Sequence, residues 1–174
     1  MTAVAETVGH GRAKADSHLA LPVVDAPWDD LLARDIAPFA TLSDMPAAMT
    51  AHVVYTAIDR NRPATTSKKV VRKIIRESIG FDGLLMSDDL SMKALSGDFK
   101  QRAKDSLSAG CDVVLHCNGD MVEMKAVMSG VGRLGKEARR RAQAVMGRLV
   151  KVPEPFDVAE ARARFGAAFD GKYA

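Results

Sequence analysis

The chain has 174 residues, enough for one domain with a sizeable core, and 47% of them are hydrophobic against 27% charged. Only 5% are aromatic, so the core rests on Val, Leu, Ile, Ala and Met. A formal net charge of +3 points to neither a nucleic-acid nor a membrane partner, and the two cysteines, Cys111 and Cys117, share one apolar run, which argues against a disulfide framework and for plain thiols.

The start of the chain lacks the unbroken apolar run of a secretory signal, and no stretch is long enough to span a bilayer. The expected location is the cytoplasm. Gly9-His-Gly-Arg-Ala-Lys-Ala-Asp-Ser-His18 then reads as a polar loop without helical or strand period. Asp16 and His18 are two apart and face the same way in an extended segment. The carboxylate can hold the imidazole Nδ1–H and leave Nε2 to exchange a proton. The plainer alternative is a turn leading into Leu19 to Pro22. Gly9-His10-Gly11 lacks phosphate-loop spacing, and the histidines at 10, 18, 52 and 116 are too scattered for a zinc site. No metal or organic cofactor is expected.

A helix is predicted from about Trp28 to Ala40, with a break at Pro38, followed by a strand from Ala48 to Tyr55. A second helix runs from about Ser67 to Ile79. Val70, Val71, Ile74 and Ile75 form its apolar face, Thr66 or Ser67 caps its start, and Gly80 closes its end. Gly80-Phe-Asp-Gly-Leu-Leu-Met-Ser87 and Gly110-Cys-Asp-Val-Val-Leu-His-Cys117 form an internal repeat. Each opens with Gly, has Asp third and continues as an apolar run. The helix between them, about Asp98 to Ala109, places Phe99, Ala103 and Leu107 at helical spacing. Apolar runs entered from helices read as buried parallel strands. Met121 to Val131 and Leu134 to Leu149 read as two more helices. The second carries Arg139, Arg140, Arg141 and Arg148, a solvated face rather than a nucleic-acid patch, since aromatics for base stacking are absent. Ala159 to Phe165 is a short helix in the tail.

The pattern is βαβαβα with extra terminal helices, which fits either a doubly wound sheet or part of a (β/α)₈ barrel. Both architectures put ligands at the carboxyl ends of the strands. One strand ends at Ser87-Asp88-Asp89. Asp89 suits a turn cap, which leaves Asp88 to project over the sheet. His52, on the Ala48–Tyr55 strand, and His116, Cys117 and Asn118, at the end of the last strand, can line the same mouth. A packed histidine is the commoner fate for His116.

Taken together, Gly-His-Gly, Asp-Ser-His and Gly-Phe-Asp-Gly-Leu-Leu-Met-Ser-Asp-Asp-Leu-Ser-Met resemble the β-N-acetylglucosaminidases of glycoside hydrolase family three, and the likeness runs from about Gly9 to Leu149. It implies a partial (β/α)₈ TIM barrel, roughly its carboxyl-terminal half. Residues 1–150 would hold the barrel domain: a catalytic loop at 9–22, strand–helix units at 27–132 and a basic helix at 133–150. Residues 151–174 would form a tail. The implied activity is retaining hydrolysis of terminal β-linked N-acetylglucosamine from muropeptides. Asp88 matches the nucleophile, His18 the general acid/base and Asp16 its orienting partner, while His10, His52 and Asn118 are candidate substrate contacts. The alternative is an inert remnant or a small binding module. Residues Ala5-Glu6-Thr7-Val8 replace the family's Lys-His pair before Gly-His-Gly, and a whole barrel takes about 250 residues. The expectation is therefore an amino-terminally truncated barrel, completed by self-association or by a separate amino-terminal half.

Overall fold

The computed structural model describes residues 3–4, 10–13, 15–148 and 156–168. Six short strands appear there: β1 (Ala3–Val4), β2 (Val23–Val24), β3 (Ala47–Met49), β4 (Val54–Tyr55), β5 (Leu84–Asp89) and β6 (Val113–Leu115). Four form one sheet in the order β1-β3-β5-β6, and β2 pairs with β4 in a second. All of these pairings are parallel.

Six longer helical segments, besides 3₁₀ turns at His10–Arg12 and Ala64–Thr66, flank the strands among the described residues. The first, α1, covers 28–40 and opens and closes as α-helix, with the wider π-type turn at Leu31–Ile36. The chain is therefore not broken at Pro38. Proline has no N–H and crowds the preceding turn, and a widened turn ahead of it relieves both effects. Leu31 and Ile36 are the residues this helix buries.

The second, α2 (Val70–Ser78), also winds with the wide turn, yet it buries the predicted face of Val70, Val71, Ile74 and Ile75. The Ser67 hydroxyl accepts the Val70 N–H at 3.3 Å, and Gly80, at φ 75°, ends the segment. Each buried aliphatic side chain on this face contributes about 1.5–3 kcal/mol. In α3 (Phe99–Ala109) the Asp98 carboxylate caps the Gln101 N–H. Gly110 follows at φ 121°, and a Cβ there would stand 2.8 Å from Val71 Cγ1. That close approach seats the turn after α3 against Val71 of α2. Asp120 caps α4 (Met121–Gly130) through the Val122 and Glu123 N–H groups.

The expected single strand from Ala48 to Tyr55 is instead two strands in two sheets. Thr50 N–H still reaches the Met86 carbonyl at 2.9 Å, but Val54 N–H bonds the Pro22 carbonyl and the Val53 carbonyl accepts from Ala64. Thr50 and His52 each turn a polar side chain onto Thr65, and the crossing between sheets accommodates those bonds.

The remaining helices are α5 (Lys136–Gly147) and α6 (Val158–Ala168). The arginine run on α5 is not a solvated face throughout. Arg140 and Arg141 both bond Asp82, and Arg141 Nη1 reaches Asp112 Oδ1 at 2.9 Å. Asp112 is buried, and its Oδ2 accepts the Leu85 N–H at 2.9 Å and Arg76 Nη2 at 2.8 Å. The two repeat aspartates, Asp82 and Asp112, thus anchor α5 to the amino-terminal ends of β5 and β6. Both cysteines are free thiols, Cys111 buried and Cys117 exposed. Burial pushes the Cys111 thiol up to about 12. Among the described residues no helix is long and apolar enough to cross a membrane.

Removing one member of a buried charge network strands the others. Asp112→Ala is expected to cost about 3–5 kcal/mol, read as a lower denaturation midpoint in urea. An unchanged midpoint would show that the Arg76–Asp112–Arg141 network does not hold the fold.

Candidate active site

The site is built at the carboxyl end of β5, where the ladder slips. Met86 pairs with Val113, but Asp89 pairs with Leu115, so β5 advances three residues while β6 advances two. This is a bulge, a device that re-aims side chains. Ser87 fills the gap: its hydroxyl accepts the Leu115 N–H at 2.9 Å.

Beyond the slip, the two neighbouring acids part company. Asp89 folds the corner. Its Oδ1 accepts Ser91 N–H at 3.0 Å and Cys117 N–H at 3.1 Å, and its Oδ2 accepts the Ser91 hydroxyl. Burial alone would raise the Asp89 carboxyl, but the Ser91 and Cys117 hydrogen bonds and the nearby His116 hold it below the usual carboxylate range. Asp88 is 6% exposed. Its N–H donates to Thr50 Oγ1 at 3.3 Å, and its Oδ1 accepts the Asp89 N–H at 2.7 Å. Among the described residues no hydrogen bond is made to its Oδ2, so one carboxylate oxygen is held and the other is available.

His52 lies beneath this corner with no exposed surface. Its Nε2 is 2.9 Å from the Asp89 carbonyl and its Nδ1 is 2.8 Å from Thr65 Oγ1. A carbonyl only accepts, so in the neutral ring Nε2 carries the proton, and Nδ1 shares the Thr65 hydroxyl proton with the Ala51 carbonyl, 3.1 Å from Thr65 Oγ1. Burial, the largest influence, holds the imidazole below its ordinary value and keeps it neutral. Both ring nitrogens are thereby taken. As placed, His52 braces the strand end through both ring nitrogens.

The loop at 10–13 and 15–22 carries the other candidate pair. Asp16 and His18 do meet, with Asp16 Oδ1 2.9 Å from both His18 Nδ1 and the His18 N–H. They do so through a turn rather than an extended segment, because the Asp16 carbonyl accepts the Leu19 and Ala20 N–H groups. Buried Ser17 pins that turn, while His18 and Asp16 stay exposed. Arg12, which the sequence did not single out, ties the loop to α1 through Asp35 at 2.8 Å. The His18 imidazole is held above its ordinary value, chiefly by the Asp16 hydrogen bond. Slight burial opposes this, and the negative charges of Asp16, Asp88 and Asp89 add to it. The loop histidine therefore sits within the field of the strand carboxylates.

The remaining candidates are more peripheral. His10 opens a 3₁₀ turn, His10–Arg12, and its side chain lies outside the described residues. Asn118 is exposed and braces the start of α4: its amide group bonds the Glu123 carboxylate and its Oδ1 accepts the Asp120 N–H at 3.1 Å. Thr50, among apolar neighbours in the sequence, and Thr65, in the polar Thr65-Thr-Ser-Lys68 run, form the buried hydroxyl pair behind Asp88. Among the described residues no group of three or more His, Cys, Asp and Glu side chains could hold a metal ion.

Residues 1–152 match the Glycosyl hydrolase family 3 N terminal domain. The chain belongs to that family. A β-hexosaminidase of Bordetella pertussis is 46% identical over 119 residues, 66% of this chain and 34% of that protein. Native NagZ from Neisseria gonorrhoeae superposes with a TM-score of 0.67 at 36% identity, covering 83% of this chain and 45% of that one. Another structure of the Neisseria protein holds N-trifluoroacetyl-D-glucosamine. The β-N-acetylglucosaminidase of Thermotoga maritima superposes with a TM-score of 0.64 at 31% identity, covering 84% of this chain and 34% of that one. The chain thus spans about a third of the length of the curated family 3 relatives it matches.

Thr65→Val keeps the shape of the side chain but removes the hydroxyl shared by His52 and Thr50. The buried imidazole nitrogen then has no donor, and the expected loss is about 1–3 kcal/mol, measured by chemical denaturation. A neutral outcome would mean that the Thr50–Thr65–His52 chain does not support the corner.

Proposed function

We propose that this chain carries the catalytic corner of a retaining β-N-acetylglucosaminidase, acting on terminal β-linked N-acetylglucosamine of muropeptides. The observation that carries the reading is the pairing of unlike groups. Asp88 is nearly buried on a parallel strand with one oxygen held, and His18 is an exposed loop histidine whose proton affinity is raised in part by Asp88. The substrate class is supported by the family match and by the N-acetylglucosamine derivative bound to the Neisseria relative.

In the first step Asp88 Oδ2 attacks the anomeric carbon, the glycosidic C–O bond breaks, and the His18 imidazolium gives its proton to the departing oxygen. The product is a glycosyl ester of Asp88. In the second step neutral His18 takes a proton from water, the water oxygen bonds the anomeric carbon, and the ester bond breaks. Two inversions give net retention. Asp16 on Nδ1 keeps Nε2 turned outward, and its charge favours the imidazolium needed first. A histidine in place of a second carboxylate avoids like-charge repulsion with Asp88 in the resting state.

In the same proposal the parallel sheet is an arc of a (β/α)₈ barrel. The monotonic order β1-β3-β5-β6 supports it, since an open doubly wound sheet reverses its strand order at a switch point. Residues 1–150 would make up the barrel part and 151–174 the tail, with the basic helix shortened to Lys136–Gly147.

The test is a chromogenic β-N-acetylglucosaminide assay. The wild-type chain is expected to release the chromophore and Asp88→Ala to release none. His18→Gly is expected to lower kcat about 10²–10⁴-fold with a smaller change in KM. Release by Asp88→Ala, or none by the wild type, overturns the reading.

The pH profile gives a second check. His18 binds its proton more tightly in the folded chain, so its acid form persists to higher pH. Asp16→Asn removes the largest cause and is expected to move the alkaline limb of kcat/KM to lower pH. By linkage, the stability tied to this proton is fully present below the ordinary imidazole value of about 6.5 and is lost as pH rises through the raised folded value. An alkaline limb that stays in place in Asp16→Asn would remove Asp16 from its orienting role.

A further inference from the structure

His116 follows directly on β6, and its side chain is 7% exposed. It packs edge-on against Phe99 of α3, with ring centroids 5.4 Å apart and planes at 78°. Neither ring nitrogen has a hydrogen-bond partner among the described residues. Each nevertheless faces a carboxylate: Nδ1 lies 4.0 Å from Asp89 Oδ1, and Nε2 lies 3.3 Å from Glu123 Oε2.

That surrounding is chemically one-sided. A neutral imidazole has one N–H and one lone pair, so in either tautomer the lone pair is directed at an anion. Only the imidazolium offers a donor to both sides, and two charge-assisted hydrogen bonds need no more than a small movement of the ring or of the carboxylates. Other charged or titratable groups of both signs lie nearby. Asp88 is next to Asp89 on β5 and adds negative charge. Arg102 of α3 sits over the far partner, the Phe99 ring, at 5.2 Å, and directs Nη1 to the Leu90 and Met92 carbonyls. Lys104 of α3 and Arg133 line the same cavity as His116. Cys117 is the next residue in the chain.

Asp89 and Glu123 belong to different parts of the fold. Asp89 ends β5 and already accepts N–H groups from Ser91 and Cys117. Glu123 lies in the first turn of α4 and holds the Asn118 amide. We infer that His116 is a proton-operated positioning residue: as an imidazolium it clamps Asp89 of β5 to Glu123 of α4, and so fixes the strand end that carries Asp88. On losing a proton it releases one carboxylate or both, and the 116–120 connection slackens beside Asp88. The relevance of this clamp to turnover rests on the glycosidase reading; the clamp itself does not.

The experiment is a ¹H–¹⁵N NMR titration of the full chain from about pH 5 to 8, the range in which imidazole ordinarily changes charge. Ring ¹⁵N signals report His116, and backbone amides report Asp89, Cys117 and Glu123. In the wild type these three amides are expected to shift with the His116 midpoint. The shifts are lost in His116→Gln, and in Glu123→Gln, which removes one facing anion, the His116 midpoint moves to lower pH. His18, exposed on its own loop, titrates in all three proteins and serves as the internal reference. The proposal is overturned if the His116 ring stays in one protonation state throughout, if the Asp89 and Cys117 amides follow His18 instead, or if Glu123→Gln leaves the midpoint where it was. Should His116→Gln fail to fold, the half-exposed Glu123→Gln still decides the matter. No activity is read, so an inactive chain with an intact clamp, or an active chain without one, separates this proposal from the proposed function.

Discussion

One carboxylate at the amino-terminal end of the sheet ties four elements together. Asp112, just before β6, receives the Leu85 N–H of β5, the Arg76 guanidinium of α2 and the Arg141 guanidinium of α5. Arg76 also donates to the Phe81 and Gly83 carbonyls, so the turn into β5 is held by the same network. Taking these charges out of water costs several kcal/mol per ion. The cost is offset only because every oxygen of Asp112 meets a donor at 2.8–2.9 Å. The result is a stiff floor. Asp88, the proposed nucleophile, stands at the opposite, carboxyl end of β5, where it can be placed without disturbing the anchor.

The same division of labour shows in the upper end. Asp88 is set on a strand and backed by Thr50, Thr65 and a neutral His52, all buried. His18 is set on a loop fastened through Arg12 to α1 and through buried Ser17. A strand gives precision and a loop gives reach. In the proposed reaction, the group that would bond carbon needs the first, and the group that would deliver and recover a proton on the departing oxygen benefits from the second.

Much of this was legible in the residues. The apolar face of α2, its Gly80 stop and the Asp89 turn all follow from local rules, and the structure keeps them, whereas Asp98, read as the first residue of α3, is its cap. The repeat was visible, but the purpose of its third-place aspartates was not: Asp112 bonds Arg76 and Arg141 from 36 and 29 residues away, Asp82 bonds Arg141 from 59 away, and long-range ion pairs leave no periodic trace. For the same reason the α5 arginines looked like a solvated face. The Ala48–Tyr55 run looked like one strand because alternation cannot report a change of sheet. Nothing local reveals, either, that Thr65 and the Asp89 carbonyl take both nitrogens of His52. The slip between β5 and β6 was equally invisible, since register belongs to the pair of strands and not to either one.

That slip carries a lesson about how two chemically identical neighbours come to differ. With regular pairing, adjacent residues would simply alternate between the sheet's two surfaces. The extra residue lets the chain turn so that one acid is neutralised in effect by amides and a hydroxyl, while its neighbour keeps a bare oxygen. Selectivity between the twins is thus written in backbone geometry, and exchanging their order in the sequence would not exchange their fates.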